Sequence, residues 1–289
     1  MALQRNVKTP VCIVDLSYFL HLRCNASVKW YIESFGDELY IDKENLQDYD
    51  FVGDDEFIMA YEKQFINSLH RFMKDHRCKL SKTILAKDCK RSDIWRRKLY
   101  TNYKCSRDAP KKQKYANISP IFAYTYDILL PKILDKFHIK LLGMQYAEGD
   151  DIIAIVSDYI TKNSDDDIII MANDMDICQI ITDRIEIFDY RGNSINEKCI
   201  AKYGSPKRML LAKMLQGDRS DDIPNICKGM GEKTAIKCID DTELLKEKFE
   251  KNPDAPKQFR MNQRLIDFKH IPEKLKSAIL KKYIRMMEE

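Results

Sequence analysis

Carboxylates are concentrated near the middle of the chain, beside two short apolar segments. Glu148, Asp150 and Asp151 stand where an apolar helix should begin, and Asp174 and Asp176 stand where an apolar strand should end. In a parallel α/β sheet, the strand carboxyl ends and the helix amino ends that follow them share one edge. We therefore expect the five acids to face one crevice. So many negative charges at one place need protons or cations to neutralise them, and hard divalent cations prefer oxygen ligands.

Two more acids follow apolar runs nearer the amino terminus. VCIV at residues 11–14 leads into Asp15, and TILA at residues 83–86 is followed by Asp88. Short apolar runs of this kind favour central parallel strands whose last residues emerge at the sheet edge. Asp15 alone is explained equally well as the cap of a helix that begins near Ser17. The Asp-Leu-Ser sequence at this point lacks the second Asp of a phosphatase with an aspartyl nucleophile.

The rest of the pattern alternates between strands and helices. Apolar residues at helical spacing predict helices at residues 57–73, 121–137, 177–181 and 206–215, and two more that begin at Glu148 and Glu232. Further apolar runs predict strands at residues 139–142, 168–171 and 185–190. The predicted fold class is α/β, with a central, mostly parallel twisted sheet flanked by helices and a helical C-terminal part. We place the division after residue 190, between a core at residues 1–190 and a helical part at residues 191–289.

Basic and aromatic side chains are concentrated directly after Asp88. The run to residue 114 carries only two acids, against the basic residues Lys90, Arg91, Arg96, Arg97, Lys98, Lys104, Arg107, Lys111, Lys112 and Lys114. Interleaved with them are Trp95, Tyr100, Tyr103 and Tyr115. Basic groups replace the counterions of a phosphate backbone and aromatic rings stack on unpaired bases, so this composition suits single-stranded nucleic acid. A solvated basic helix that turns its aromatic rings to the core explains the run equally well.

A glycine-rich segment, GDRSDDIPNICKGMGEKTA, occupies residues 217–235. Asp218 and Asp221 are spaced to approach one point from a turn. Gly229 and Gly231 permit close backbone approach, so the amides that lead into the next helix can meet phosphate oxygens together with a bound ion. A plain loop that joins two helices is the simpler alternative.

Residues 33–56 are strongly acidic, and Lys43 is their only basic residue. We expect this stretch to be a solvated loop or an irregular insertion. Because it would repel a polyanion, it should lie away from any nucleic-acid surface.

Composition sets the broad class. The chain has 289 residues, of which 44% are apolar and 33% charged, so it can bury a full core. We identify no membrane-spanning segment and no secretory signal in residues 1–10. The 9 cysteines include no Cys-x-x-Cys pair, which argues against structural zinc and indicates reduced thiols in the cytoplasm. We expect all of them to be small buried apolar residues.

Taken together, the motifs resemble those of the flap endonuclease and 5′ nuclease family, which has a PIN-like fold, and more narrowly its bacteriophage members of the phage RNase H type. The matching pieces occur in order along the chain. They are IVD at residues 13–15, AKD at 86–88, YKCSRD at 103–108, AEGDD at 147–151, NDMD at 173–176, the glycine-rich segment at 217–235 and LIDFKHIP at 265–272. Each piece is weak evidence alone, but the ordered set is specific.

The resemblance implies a role for each matching residue. It implies that the ligands of a first metal ion are Asp15, Asp88, Glu148 and Asp150. Ligands of a second ion are implied at Asp174, Asp176 and Asp221, with direct or water-mediated support from Asp151 and Asp218. Lys104 matches a catalytic lysine, Arg96 a phosphate-steering arginine and Tyr103 a stacking ring. Further nucleic-acid contacts are implied at Arg97, Arg107, Lys111, Lys112, Gly229, Gly231, Lys233 and Thr234.

The implied activity is cleavage of phosphodiesters at or near a 5′ end by two Mg²⁺ ions, for which Mn²⁺ can substitute. The implied substrates are flaps and nicked or branched duplex DNA, or the RNA of RNA–DNA hybrids, in replication or repair. A basic arch near residues 89–118 and a duplex-binding helix-three-turn-helix near residues 217–240, with a bound K⁺, are part of that expectation. We also expect a monomer that meets replication proteins and no membrane. A PIN-like ribonuclease and a non-catalytic protein that binds branched DNA remain as alternatives.

Overall fold

Five parallel strands form a single sheet in the part of the chain that the structure describes. The structure is a computed structural model, and it describes residues 8–36, 46–108 and 116–288. The strands are β1 (Val11–Asp15), β2 (Thr83–Lys87), β3 (Lys140–Gly143), β4 (Ile168–Met171) and β5 (Ile185–Phe188). Their order across the sheet is β3-β2-β1-β4-β5, and every pairing is parallel. The predicted fold class is therefore confirmed, with β5 ending two residues earlier than expected.

The strand order places the first strand at the centre of the sheet. Val14 of β1 pairs with Leu85 on one side and Met171 on the other, and all three side chains are buried. The chain builds outward from β1 to β3 on one side and then returns to add β4 and β5 on the other. This reversal creates a crevice at the carboxyl ends of the strands beside β1.

Helices cover both faces of the sheet. Those in the first half are α1 (Leu16–Phe35), α2 (Asp55–Asp75), α3 (Trp95–Leu99), α4 (Ser119–Tyr124), α5 (Leu130–Phe137) and α6 (Gly149–Asn163). Those in the second half are α7 (Ile195–Tyr203), α8 (Pro206–Gln216), α9 (Glu232–Asp240), α10 (Thr242–Glu250), α11 (Ala255–Ile266) and α12 (Glu273–Glu288). Among the described residues, no helix combines the length and apolarity that a bilayer crossing requires.

Each face of the sheet has its own apolar core. One core contains the aromatic stripe of α2, including Phe57, Tyr61 and Phe65, which packs against α1. The other contains Ile152 and Val156 of α6. Each such side chain contributes about 1.5–3 kcal/mol by leaving water, so these helices are fixed firmly on the sheet.

The C-terminal helices share the second core with the sheet. Tyr283 of α12 packs edge-on against Tyr159 of α6 with ring centroids 5.7 Å apart. Lys282 donates a hydrogen bond of 2.7 Å to the carbonyl oxygen of Gly143, at the end of β3. The division into two domains after residue 190 stays a prediction, and the helices beyond that point pack directly on the α/β core.

Two local expectations were wrong. The helix expected over residues 121–137 is interrupted by a π-helical turn at Thr125–Leu129. Pro131 follows that turn, and proline supplies no backbone N–H for a regular helical bond. The acidic stretch at residues 33–56 is only partly a loop, because α1 extends to Phe35 and Phe51 is buried. Residues 37–45 of that stretch lie outside the described residues.

The cysteines are free thiols, as expected, but they are not all buried. Six are buried, which are Cys12, Cys24, Cys178, Cys199, Cys227 and Cys238. Cys78 and Cys89 are half-buried, and Cys105 is exposed. Cys105 lies in a short turn next to Lys104, outside the cores, where no apolar surface covers it.

Gly217 provides a direct test of the local fold. Its φ is +71°, and a Cβ there would collide with the carbonyl oxygens of Ile223 and Pro224. We expect Gly217→Ala to lower the free energy of unfolding by about 3 kcal/mol, from backbone strain and overpacking together. Urea unfolding measures this change.

Gly229→Ala is the matched control. Gly229 also has a positive φ, of +81°, but no atom lies within 4 Å of its missing Cβ. Only the backbone strain of about 1–2 kcal/mol should remain. Equal losses at the two glycines would contradict the proposed collision.

Candidate metal centre

Five of the predicted acids line one open cavity of about 1220 Å³ at the carboxyl edge of the sheet. Asp15 ends β1 and Asp88 directly follows β2. Glu148 and Asp150 stand at the start of α6, and Asp174 lies beyond β4. The structure thus brings together acids that are up to 159 positions apart in the sequence.

Backbone amides fix two of these carboxylates. Asp15 caps α1 by accepting a hydrogen bond of 3.0 Å from the amide of Tyr18. Asp88 accepts one of 2.5 Å from the amide of Gly149. A Cβ at Gly149 would lie 3.2 Å from that same carboxylate oxygen, so the glycine allows α6 to begin close against Asp88. The capping role considered for Asp15 is therefore real, and the carboxylate faces the cavity as well.

Crowding of the acids changes their protonation. Burial, with the charges of Asp88 and Asp174, raises the pKa of Asp15 to about 7. Burial, with the charges of Asp174 and Asp15, raises the pKa of Asp150 well above its ordinary value. The ionised forms lack water and repel one another, which is the condition that a bound cation relieves.

A second acidic group surrounds Lys213 of α8. Its Nζ lies 3.0 Å from Oδ1 of Asp176 and donates a short hydrogen bond to Asp218. Burial raises the pKa of Asp176 to about 7, against the lowering effect of Lys213. Although burial also disfavours the charge of Asp218, Lys213 holds the pKa of that carboxyl below its ordinary value. Oδ1 of Asp176 is buried, and its contact with Lys213 lacks hydrogen-bond geometry, so a metal ion at this oxygen would take the place of the ammonium group.

Asp221 lies in a third arrangement, shared with Glu148. The hydroxyl of Tyr103 lies 3.0 Å from Glu148 Oε2 and 3.0 Å from Asp221 Oδ2. Lys104 Nζ contacts Glu148 at 2.5 Å and lies 3.5 Å from Asp221. Burial alone would raise the pKa of Glu148, but Lys104 and Arg96 outweigh it and lower that pKa. Lys104 therefore stands between two of the predicted metal ligands.

The structure contradicts a role for Asp151 as a metal ligand. Its side chain is fully buried and accepts hydrogen bonds of 3.0 Å from Trp95 Nε1, 2.8 Å from Arg96 Nη2 and 3.0 Å from the amide of Glu148. Asp151 thus closes the first turn of α6 and balances a buried arginine. Both carboxylate oxygens face these donors, and the side chain does not line the cavity where an ion would bind.

Arg96 and Tyr103 are also placed differently from expectation. Each is only 3% exposed, so neither can reach a substrate. Arg96 pairs with Glu148 and Asp151 at 2.8 Å each and donates to the carbonyl oxygen of Leu265 at 2.7 Å. The assignments of a phosphate-steering arginine and a stacking ring are therefore wrong. Both residues instead hold the acids of the cavity in place.

Among the predicted nucleic-acid contacts that the structure describes, Arg107 alone lines the cavity. Arg97 pairs with Asp108 at 2.6 Å, and Arg107 pairs with Asp221 at 2.7 Å. Lys111 and Lys112 lie outside the described residues. Gly229 and Gly231 precede α9, and Lys233 and Thr234 lie in its first turn. Lys213 was not predicted as a site residue, because its spacing of five residues before Asp218 was the only signal for it in the sequence.

The donor set fits hard divalent cations. The acids of the cavity offer oxygen atoms, which Mg²⁺ prefers, and their mutual repulsion disfavours the charged state without a cation. Within residues 8–36, 46–108 and 116–288, no group of three or more His, Cys, Asp or Glu side chains is closed tightly enough to hold an ion as it stands. Lys104 and Lys213 instead draw oxygens of Glu148, Asp176 and Asp218 toward their ammonium groups.

A parallel sheet in this order, with acids along its carboxyl edge, defines a doubly wound α/β protein. Its likeness to solved 5′ nuclease structures shows the PIN-like 5′ nuclease fold. The family model described as the 5′-3′ exonuclease N-terminal resolvase-like domain matches residues 50–204. The chain belongs to that 5′-3′ exonuclease family.

Named relatives agree with this assignment. A 5′-3′ exonuclease of Buchnera aphidicola is 35% identical over 145 residues, which cover 49% of this chain and 47% of that protein. The chain thus spans about half the length of the curated relatives it matches. T5 5′-exonuclease with bound zinc has a TM-score of 0.67 at 15% identity, covering 96% of this chain and 98% of that one. The bacteriophage T5 flap endonuclease in a pseudo-enzyme–product complex with DNA and metal ions has a TM-score of 0.65 at 15% identity, covering 96% and 99%.

Removing the buried arginine tests its structural role. Arg96→Met leaves Glu148 and Asp151 buried with less compensating charge, so we expect a loss of about 3–5 kcal/mol in the free energy of unfolding. Arg97→Met removes the pair with the exposed Asp108 and one hydrogen bond to the carbonyl oxygen of Lys104, and should cost about 1–2 kcal/mol. Denaturant titration of both variants separates them. If both variants lose a similar free energy of unfolding, the buried contacts of Arg96 are not critical for stability.

The raised pKa values predict how stability depends on pH. Folded Asp15 and Asp176 keep their protons up to about pH 7, whereas the unfolded chain loses them near its ordinary value of 3.8. Stability should therefore be highest at about pH 4 and fall by more than about 1.4 kcal/mol as the pH rises through 7, without divalent cations. Thermal unfolding in EDTA measures this, and Asp15→Asn should flatten the profile.

Added Mg²⁺ should reverse the loss. At pH 8 the ionised acids can bind the cation, so the melting temperature should rise more than at pH 5. A melting temperature that does not respond to Mg²⁺ at pH 8 is the opposing result.

Proposed function

We propose that the chain is a structure-specific 5′ nuclease that hydrolyses phosphodiesters with two divalent metal ions. The observation that carries this proposal is the row of mutually repelling carboxylates that lines a cavity with basic side chains on its wall. Lys90, Arg91, Lys104 and Arg107 line the same cavity. Carboxylates suit metal ions, and the basic groups suit the phosphates that those ions would act on. Family membership and the names of the relatives support the same activity.

Two sets of acids would hold the ions. The first comprises Asp15, Asp88, Glu148 and Asp150. The second comprises Asp174, Asp176, Asp218 and Asp221. Mg²⁺ keeps several of its waters, so some of these acids act through water. The bound ions would supply an activated water and would neutralise charge on the leaving oxygen.

Lys104 is the cation best placed to stabilise the scissile phosphate. Its φ is +55°, and its amide donates to the carbonyl oxygen of Asp221 at 2.9 Å, so its backbone is fixed. Although burial lowers the pKa of its amine, Glu148 and Asp221 raise it above the ordinary value. Lys104 therefore stays charged at neutral pH and can offset negative charge that develops on the phosphate.

We further propose branched or nicked duplex DNA with a 5′ single-stranded end as the substrate, and RNA–DNA hybrids as a second one. The helices around Gly229 and Gly231 would grip the duplex, with K⁺ as a bound ion at that segment. Mg²⁺ is the proposed physiological metal, with Mn²⁺ as a substitute. Residues 1–190 would form the nuclease core and residues 191–289 the duplex-binding part of a cytoplasmic monomer that meets replication proteins.

Cleavage of a labelled 5′-flap duplex tests the function. We expect cutting with Mg²⁺ and none with EDTA. Asp174→Asn should abolish cutting, because it removes a charged ligand, while binding of the flap measured by fluorescence anisotropy persists. Binding without cutting by the parent chain would instead favour a non-catalytic DNA-binding protein.

Asp165→Asn is the matched control for this experiment. Asp165 is exposed and precedes β4, at the opposite edge of the sheet from the cavity. Its variant should cut at the parental rate. Equal activity of the Asp174 and Asp165 variants would remove Asp174 from the proposed site.

A further inference from the structure

Two arginines flank the ring of Tyr190, beyond the outer strand β5. The guanidinium carbon of Arg23, on α1, lies 5.8 Å from the ring centroid, and that of Arg71, on α2, lies 5.0 Å from it. In the described part of the chain, neither guanidinium forms an ion pair with a carboxylate, and their side-chain hydrogen bonds go to neutral groups. Two positive charges therefore lie close together, and no described carboxylate pairs with either of them.

The inner arginine is buried. Arg23 is only 8% exposed, and its Nη2 donates to Gln64 Oε1 at 3.0 Å and to Ser27 Oγ at 3.4 Å. Its Nε is buried and has no hydrogen-bond partner. A buried charge without a counter-charge is costly, and its field is weakly screened. The surface above Arg23 is therefore favourable for an anion.

The outer arginine is held in position and remains accessible. Arg71 is exposed, and its Nη2 donates to the hydroxyl of Tyr190 at 2.6 Å. That hydroxyl in turn donates to Ser68 Oγ at 3.0 Å. A guanidinium has five N–H donors, so most remain available after this bond, and their planar arrangement matches phosphate oxygens.

This cluster is connected to the wall of the cavity. The amide of Tyr190 donates to the hydroxyl of Tyr18 at 3.1 Å, and Tyr18 lines the cavity. Tyr18 and Arg23 also lie on the same helix, α1. A strand of nucleic acid that leaves the cavity past Tyr18 would meet the arginines next.

We propose that Arg71, oriented by Tyr190 and supported by the buried charge of Arg23, binds a backbone phosphate of the DNA outside the catalytic cavity. This inference rests on the proposed nuclease function and adds a contact to its substrate track. Phosphate oxygens are the chemistry that it recognises, so the contact is independent of base sequence.

Salt-dependent binding of a 5′-flap duplex in EDTA tests the contact. Arg71→Gln should weaken binding about tenfold and should reduce the slope of log K against log salt by about 0.9, the value of one phosphate contact. Arg71→Lys should recover the slope, because the charge is kept, but only part of the affinity. With Mg²⁺, the KM of Arg71→Gln should rise in parallel.

Lys63→Gln is the matched control, because Lys63 is an exposed cation on the same helix but is not one of the cations that flank the ring of Tyr190. It should change neither the affinity nor the slope. An unchanged slope for Arg71→Gln, in a parent chain that binds and cuts the flap, would overturn this inference and leave the proposed function intact. A lower melting temperature with an unchanged slope would show a structural role only and would overturn it too. A parent chain that binds no flap would overturn both.

Discussion

Repulsion among carboxylates at one edge of the sheet is the constraint on which the site depends. Asp15, Asp150 and Asp174 face one another because strand ends and helix starts meet there. The fold tolerates this arrangement by two means. Some acids retain protons, as the raised pKa of Asp15 indicates, and others are balanced by buried cations. Bound cations would relieve the repulsion among these acids and would therefore stabilise the folded protein.

The balancing cations also join the two halves of the chain. Arg96 contacts two acids of α6 and the carbonyl oxygen of Leu265, at the end of α11. Gln179, which follows Asp174 and Asp176 in the sequence, donates a hydrogen bond of 3.0 Å to the carbonyl oxygen of Ile266. These bonds, together with the shared apolar core, fix the C-terminal helices relative to the cavity. The geometry of the acids and the placement of the glycine-rich segment are therefore linked.

Much of this arrangement could be predicted from the sequence, because it follows from local patterns. Apolar runs that end in an acid identified the strands, and parallel topology alone placed Asp15, Asp88 and Asp174 on one edge. Asp174 could be assigned to this edge without information about its contacts, because it directly follows a buried strand.

The rest depended on contacts between distant parts of the chain. Arg96 lies in a basic run typical of a solvated surface, and only its pairing with Glu148 and Asp151, 52 and 55 positions away, makes it a buried residue. Asp151 was predicted to support a metal ion because a run of acidic residues in the sequence does not show which of their side chains is buried. Lys213 was missed because its pattern is that of an ordinary helical lysine, and its charge acquires meaning only beside Asp176.

Anomalous diffraction from crystals soaked in Mn²⁺ would locate any ions bound at the carboxyl edge of the sheet. We expect two peaks about 4 Å apart at this edge, one beside Asp15, Asp88 and Asp150 and the other beside Asp174, Asp176 and Asp218. The soak should also move the ammonium of Lys213 away from Asp176. If no Mn²⁺ binds at millimolar concentration and the lysine contacts are unchanged, the acids of this edge do not form a metal site.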